Sequence, residues 1–172
     1  MKGRLRICPL DKFARAVRMA PPAAVMPKPI TPLVGCDVFI VDAGNRVLLV
    51  RRSDNGLWAL PGGCQDLGET PVACAVREVK EETGFEVTIT RLLGVFSSVC
   101  YEYVHYPWKE NEFTHVFFAA TITGGVLRPS PETPEVGFFA EAELPPMSDG
   151  HERRVRVGFG AGRETDFRAV FE

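Results

Sequence analysis

Three glutamates, Glu78, Glu81 and Glu82, stand three and four residues apart in a stretch that carries helix signals at both ends. Projected at 100° per residue, they fall within an arc of about 100°. Like charges at that spacing cost a helix a few tenths of a kcal/mol per pair, so a chain either solvates such a face or uses it. A hard cation such as magnesium would use it, being bound through a few carboxylates, water and substrate phosphate. Taken alone, three glutamates more often make a solvated surface, so the surrounding residues decide.

Starting at Gly63 the chain reads Gly63, five residues, Glu69, seven residues, Arg77-Glu78-Val79, Lys80, Glu81-Glu82, Thr83, Gly84-Phe85. At every fixed position this resembles the Nudix box, G-x5-E-x7-R-E-U-x-E-E-x-G-U, with U aliphatic or aromatic. At backgrounds of about 5 to 7% per letter, chance yields its seven fixed letters less than about once in a hundred million starting points. The resemblance is specific over Gly63 to Phe85 and extends more loosely from about Val34 to Pro146, through the Leu-Pro-Gly-Gly lead-in and the late Phe138-Phe139 followed by Glu143-Leu144-Pro145. It implies an α/β fold, the Nudix-type α/β/α sandwich with a mixed β-sheet. It also implies water attack on phosphorus that splits a diphosphate linkage in a nucleoside diphosphate joined to another moiety, with Mg2+ as cofactor and Mn2+ as the alternative.

Carried over position by position, the resemblance implies Glu78 and Glu82 as metal ligands. Glu81 is then a third ligand or catalytic neighbour, and the Gly62 carbonyl completes the shell. Arg77 and Glu69 look like an orienting pair, because an arginine amid carboxylates can fix one by charge-assisted hydrogen bonds. Many family members add a carboxylate from a late loop. Glu132, six residues before Phe138, has the spacing the family often uses and is preferred over Glu135, with Glu102, Glu110, Glu112 or none behind; the bland alternative is that both loop glutamates are solvated loop charges. For the substrate, Arg52, Trp58, Tyr101 and Tyr103 are the candidate contacts. Aromatic faces stack nucleotide bases, worth on the order of 1 to 3 kcal/mol, although the cluster Tyr101, Tyr103, Tyr106, Trp108 and Phe113 also suits a strand core and rim. Tyr101 and Tyr103 lie where the family's dinucleoside polyphosphate hydrolases carry a tyrosine, while the Leu-Trp-Ala-Leu-Pro-Gly-Gly lead-in is similar to that of bacterial ADP-ribose pyrophosphatase-like members. A non-catalytic Nudix-like sensor is the rival reading, and the intact box argues against it.

The elements that must position these residues are legible around them. Thr70-Pro71 starts a helix, since the hydroxyl caps free N–H groups and a proline at the first position loses no bond; Gly84 stops it. Val72, Val76, Val79 and Thr83 recur at helical spacing and predict its buried face. Alternation over Val34 to Ile40, turn chemistry at Asp42-Ala43-Gly44-Asn45 and the run Val47 to Val50 predict a β-hairpin. Further strands are expected at Val87 to Phe96, Thr114 to Ile122 and Val136 to Ala140, with a closing helix starting near Thr165.

Residues 1–30 hold seven basic residues against one acidic, plus five prolines, and read as a basic, proline-rich N-terminal arm with a short helix around Asp11 to Met19. Residues 31–172 then form the hydrolase domain, a length that suits one core. A net charge of −2 is too small to draw nucleic acid by bulk attraction, so a small nucleotide is the expected partner and a homodimer stays open. Five cysteines with no C-x-x-C pair signal neither disulfide framework nor zinc site, and no apolar run reaches membrane-spanning length, so a cytoplasmic protein without membrane attachment is expected. The cysteines and the histidines His105, His115 and His151 read as packing or surface residues.

Overall fold

The helix that carries the glutamates begins and ends where its sequence signals predict. In this computed structural model, which describes residues 32–102, 104 and 111–172, helix α1 spans Pro71–Thr83. The Thr70 hydroxyl accepts the Ala73 N–H, and Gly84, left-handed at φ 78°, donates its N–H to the Lys80 carbonyl. The expected N-terminal arm and the short helix expected within it, along with Tyr103, His105, Tyr106, Trp108 and Glu110, lie outside the described residues.

The buried face of α1 is Cys74, Ala75, Val79 and Thr83. It is turned from the expected stripe: Val72 is 46% exposed, and the small side chains of Cys74 and Ala75 take the inner positions. Small residues let the helix axis approach the sheet closely, and they pack there with Cys36, Val38, Ile40, Val87 and Phe118.

Strands β1 (Leu33–Ile40), β2 (Val47–Arg51), β3 (Trp58–Ala59) and β4 (Gly62–Cys64) precede α1; β5 (Phe85–Ser97), β6 (Phe113–Gly125), β7 (Glu135–Phe139), helix α2 (His151–Arg163) and β8 (Val170–Phe171) follow it. The larger sheet has the order β4-β1-β6-β5-β8, with β1 parallel to β6, β5 parallel to β8, and the other pairs antiparallel. A smaller antiparallel sheet has the order β3-β2-β7. Alternate β1 residues face opposite ways. Cys36, Val38 and Ile40 join the α1 cluster, whereas Phe39 joins Val155, Phe159 and Ala161 of α2. Each helix thus covers one face of the mixed sheet, giving the α/β/α layering. No helix among the described residues is long and apolar enough to cross a membrane.

Two further expectations are corrected. β1 and β2 do not form a hairpin but belong to different sheets, with the isolated bridge Val41–Val47 at the turn between them. The turn chemistry is present, with Asp42 Oδ1 accepting the Gly44 and Arg46 N–H groups and Asn45 at φ 55°. However, Cys36–Ile40 and Val47–Val50 are buried throughout, and a two-stranded ribbon cannot cover both faces of either strand. The second correction concerns the C-terminal helix, which spans His151–Arg163 and ends before Thr165; the chain then returns as β8. Gly158, Gly160 and Gly162 weaken its helical signature. Gly158 has a packing reason, because a Cβ there would lie 2.3 Å from Phe39 Cδ2.

Val79 is fully buried and Val72 is not, so Val79→Asp should cost on the order of 3 kcal/mol or more while Val72→Asp stays within about 0.5 kcal/mol. Equal melting temperatures for the two variants would mean that the buried face is misassigned.

Candidate active site

The loop leading into α1 passes so close to β1 at Gly62 that only glycine fits, and at Gly63 it lies against the Glu78 carboxylate. At Gly62, φ is 152° and a Cβ would lie 2.1 Å from the Cys36 carbonyl oxygen; at Gly63 it would lie 2.4 Å from Glu78 Oε1. That closeness puts the Gly62 N–H 2.9 Å from Glu82 Oε2, to which it donates. Glu78 and Glu82, one helical turn apart, thereby lie against Gly62-Gly63, and with them line a cleft of about 730 Å³ whose walls also include Arg52, Ser53, Asp54, Cys64, Phe113, Glu132 and Thr133.

One guanidinium holds the acidic cluster together. Arg77 grips Glu69 with two bonds of 3.0 Å, reaches Glu78 Oε1 at 2.7 Å and Glu81 Oε2 at 3.1 Å, and donates to the Cys64 carbonyl at 3.1 Å. It therefore ties the loop, the helix and β4 at one point. Its hydrogen bonds hold Glu69 below the ordinary carboxyl range. Burial raises Glu78 despite the bond from Arg77. Glu82 is pushed up to about 8, chiefly by burial and further by the Glu78 charge, with the Gly62 N–H opposing. Two partly buried carboxylates, Glu78 bonded to Arg77 and Glu82 beyond its reach, are what a divalent ion would neutralise. No group of three or more His, Cys, Asp or Glu side chains among the described residues forms a ready metal cage. The donors at hand are a carboxylate pair open to a cleft, which suits an ion that keeps water and takes phosphate oxygens as ligands.

Behind the cleft lies a buried polar cluster. Asp37 stands opposite Gly62 in the β1–β4 register, with its Oδ2 3.0 Å from His115 Nδ1 and 3.2 Å from Arg154 Nε. Burial acts to raise the Asp37 pKa, but Arg154 and His115 together hold the carboxyl well below its usual range. His151 is held well below the usual histidine value by burial and then by Arg154, so it is neutral, and its Nδ1 accepts the Leu60 N–H at 3.2 Å. The peptide that leads to Gly62 is thus fastened to the first residue of α2.

The structure brings Arg52, Gly62, Glu78, Glu82 and Glu132 to one cleft. Glu69 and Arg77 stand beside it, and the Glu81 side chain is 61% exposed on the Arg77 side. Glu135 is instead paired with Arg51 at 2.6 Å. Trp58 is packed edge-on against Phe139 with ring centroids 4.7 Å apart. Tyr101 lines a separate cavity of about 600 Å³ with Arg153 and Arg156, its hydroxyl 3.3 Å from Glu172 Oε2. Neither ring joins the cleft, and Tyr103 lies outside the described residues. Sequence reasoning missed Asp54, which fixes the Arg52 guanidinium through a 2.9 Å bond, as well as Thr133 and the Asp37–Arg154 pair. The two-residue spacing of Arg52 and Asp54 in a polar loop was the one available signal.

Comparison with known proteins gives the family. The family model described as the NUDIX domain matches residues 31–157. An ADP-ribose pyrophosphatase of Methanocaldococcus jannaschii is 34% identical over 122 residues, covering 68% of each chain. A Bacillus subtilis protein provisionally named an ADP-ribose pyrophosphatase is 36% identical over 130 residues, 74% of this chain and 61% of that one. The first four curated relatives are spanned over 61 to 68% of their own lengths. Among solved structures, an ADP-ribose pyrophosphatase from Streptococcus suis superposes with a TM-score of 0.68 at 29% identity, covering 83% of this chain and all of that one.

The raised Glu82 pKa has a measurable consequence. Between 4.5 and about 8 the folded, metal-free chain keeps a proton on Glu82 that the unfolded chain has lost, so stability should fall as pH rises through that window and level off above it. Denaturant unfolding between pH 5 and 9 should show this slope in the wild type, a flatter one in Glu82→Gln, and a flatter one again with saturating Mg2+, because a cation favours the ionised carboxylate. The same slope in wild type and Glu82→Gln would refute the assignment.

Proposed function

The chain belongs to the NUDIX family of hydrolases, and from that premise we propose that it hydrolyses the diphosphate of an ADP-ribose-like nucleotide with Mg2+ as its cofactor, Mn2+ substituting. The observation that carries this reading is the convergence of Glu78, Glu82, Glu132 and Arg52 on one cleft beside Gly62-Gly63. The names of the Methanocaldococcus jannaschii and Streptococcus suis relatives favour ADP-ribose as the first substrate to try. A dinucleoside polyphosphate is the second, with less support, since Tyr101 lies at the other cavity.

In this reading Glu78 and Glu82 hold the cation, with the Gly62 carbonyl as a further oxygen donor and Glu81 at the edge of the cluster. A divalent ion bound there neutralises the diphosphate oxygens. Arg77 and Glu69 act on Glu78, fixing the carboxylate that would otherwise swing away from Gly63. Arg52, oriented by Asp54, places its positive charge at the cleft wall, where it attracts a phosphate oxygen. Glu132, exposed on its loop at the cleft wall, accepts the proton of the attacking water as the oxygen bonds to phosphorus and the far phosphate leaves. The products are two phosphate monoesters, AMP and ribose 5-phosphate if ADP-ribose is cleaved.

Glu78→Gln and Glu82→Gln should each lower kcat by at least about a hundredfold with the fold retained, as loss of one ligand charge weakens the cation site. Near-wild-type turnover by Glu82→Gln would defeat the metal assignment. Assays of ADP-ribose, diadenosine polyphosphates, NADH, coenzyme A and nucleoside triphosphates, with Mg2+ and then Mn2+, should show the highest kcat/KM for ADP-ribose. Hydrolysis in ¹⁸O water should place the label on a product phosphate. Absence of turnover across the whole panel would overturn the proposed activity.

A further inference from the structure

The loop that brings Glu132 to the cleft is exposed at Pro131, Glu132, Pro134 and Glu135, yet Thr133 between them is only 2% exposed. A threonine buried alone in a surface loop needs a partner for its hydroxyl. Here Thr133 Oγ1 donates to the Glu82 carbonyl oxygen at 2.9 Å, and the Thr133 N–H is received by Ser130 Oγ at 3.1 Å. The acceptor is one of the last four carbonyls of α1, which have no partner within the helix. Its neighbours are taken by other groups: Gly84 N–H bonds the Lys80 carbonyl, and Arg128 N–H bonds the Thr83 carbonyl. On the other side of the loop the Ser53 N–H donates to the Glu132 carbonyl oxygen at 2.9 Å. Glu132 is therefore spanned by two fastenings, one to the residue that carries a cleft carboxylate and one to the loop that carries Arg52.

We propose that Thr133 is a positioning residue for hydrolysis, setting the reach of Glu132 into the cleft by docking its loop on the Glu82 carbonyl. This rests on the reading of Glu132 given above. The bond acts on the backbone, so its loss lets the loop open and take Glu132 out of reach without changing a charged group. The adjacent prolines restrict the backbone on either side, and the hydroxyl, which also lies 2.9 Å from Ser130 Oγ, fastens the loop to α1 at Glu82.

The test uses Thr133→Val, which keeps the shape and removes the donor, Thr133→Ser, which restores it, and Glu132→Gln. Amide hydrogen exchange reports docking without reference to activity. In Thr133→Val the Ser53 amide should exchange at least about tenfold faster while the Gly84 amide at the end of α1 keeps its rate, and Thr133→Ser should return Ser53 to the wild-type rate. With ADP-ribose and Mg2+, Thr133→Val should lower kcat about tenfold with KM within about twofold, and should have no further effect in the Glu132→Gln background. An unchanged Ser53 exchange rate overturns the docking role. A tenfold loss that persists in Glu132→Gln means Thr133 acts through Glu82 and also overturns the proposal. Full activity of Glu132→Gln alone removes instead the reading of Glu132 on which it rests.

Discussion

The fold is organised around a repulsion that it concentrates and then contains. Glu69, Glu78, Glu81 and Glu82 are brought together by one helix and its lead-in loop, and the guanidinium of Arg77 reaches three of them. Charged groups kept near one another outside bulk water are costly unless each has a partner, and removing a central partner leaves the others uncompensated. Arg77 also bonds the Cys64 carbonyl, so the same residue that balances the charge fixes the distance between α1 and β4. Glu82 lies outside its reach and is steadied instead by the Gly62 N–H and, through its own carbonyl, by Thr133. The carboxylate with the least compensation is the one pushed furthest from its ordinary pKa, which makes it the group most ready to gain from a cation.

The close approach of Gly62 and Gly63 to Cys36 and Glu78 would be worth little if β1 could shift. The buried Asp37–Arg154 pair prevents this by joining the strand behind Gly62 to α2, and the Leu60–His151 bond joins the same helix to the peptide ahead of Gly62. Such a pair is weak evidence of net stability, but it specifies one arrangement, because any other leaves a charge unpaired in the core. Gly158, with no side chain to hold Phe39 away, lets α2 sit close enough for Arg154 to reach Asp37.

Local features were the most legible in the sequence. Thr70, Pro71 and Gly84 act on their own neighbours, and so the limits of α1 follow from the chain; the runs that become β5, β6 and β7 likewise carry their own pattern. The box placed Glu69, Arg77, Glu78, Glu81 and Glu82 in order, and the structure gathers them around one guanidinium and one cleft edge. Strand partners were not legible. The turn at Asp42 to Asn45 looks like a hairpin turn, and only the need of β1 and β2 for cover on both faces sends them to different sheets. Arg154 has charged sequence neighbours in Arg153 and Arg156, yet it alone is buried, a distinction that depends on Asp37, more than a hundred positions away. Trp58 and Tyr101 have the composition of a stacking site, and their rings lie with Phe139 and Glu172 for reasons of packing.

The parallel pairing of β1 with β6 sets Leu33 opposite Phe113, 80 positions along the chain. Closing a loop of that length costs entropy before any contact repays it, and chains dominated by distant pairings fold slowly, on the scale of milliseconds to seconds. All of the box, from Gly63 to Phe85, lies inside the loop that this pairing closes. The caps of α1 are local, but Gly62 and Gly63 take their place beside Glu78 and Glu82 only where β4 pairs with β1. The pairing that holds β1 beside Gly62 therefore needs both ends of that loop, and during synthesis it cannot form until the ribosome has released the segment containing β6.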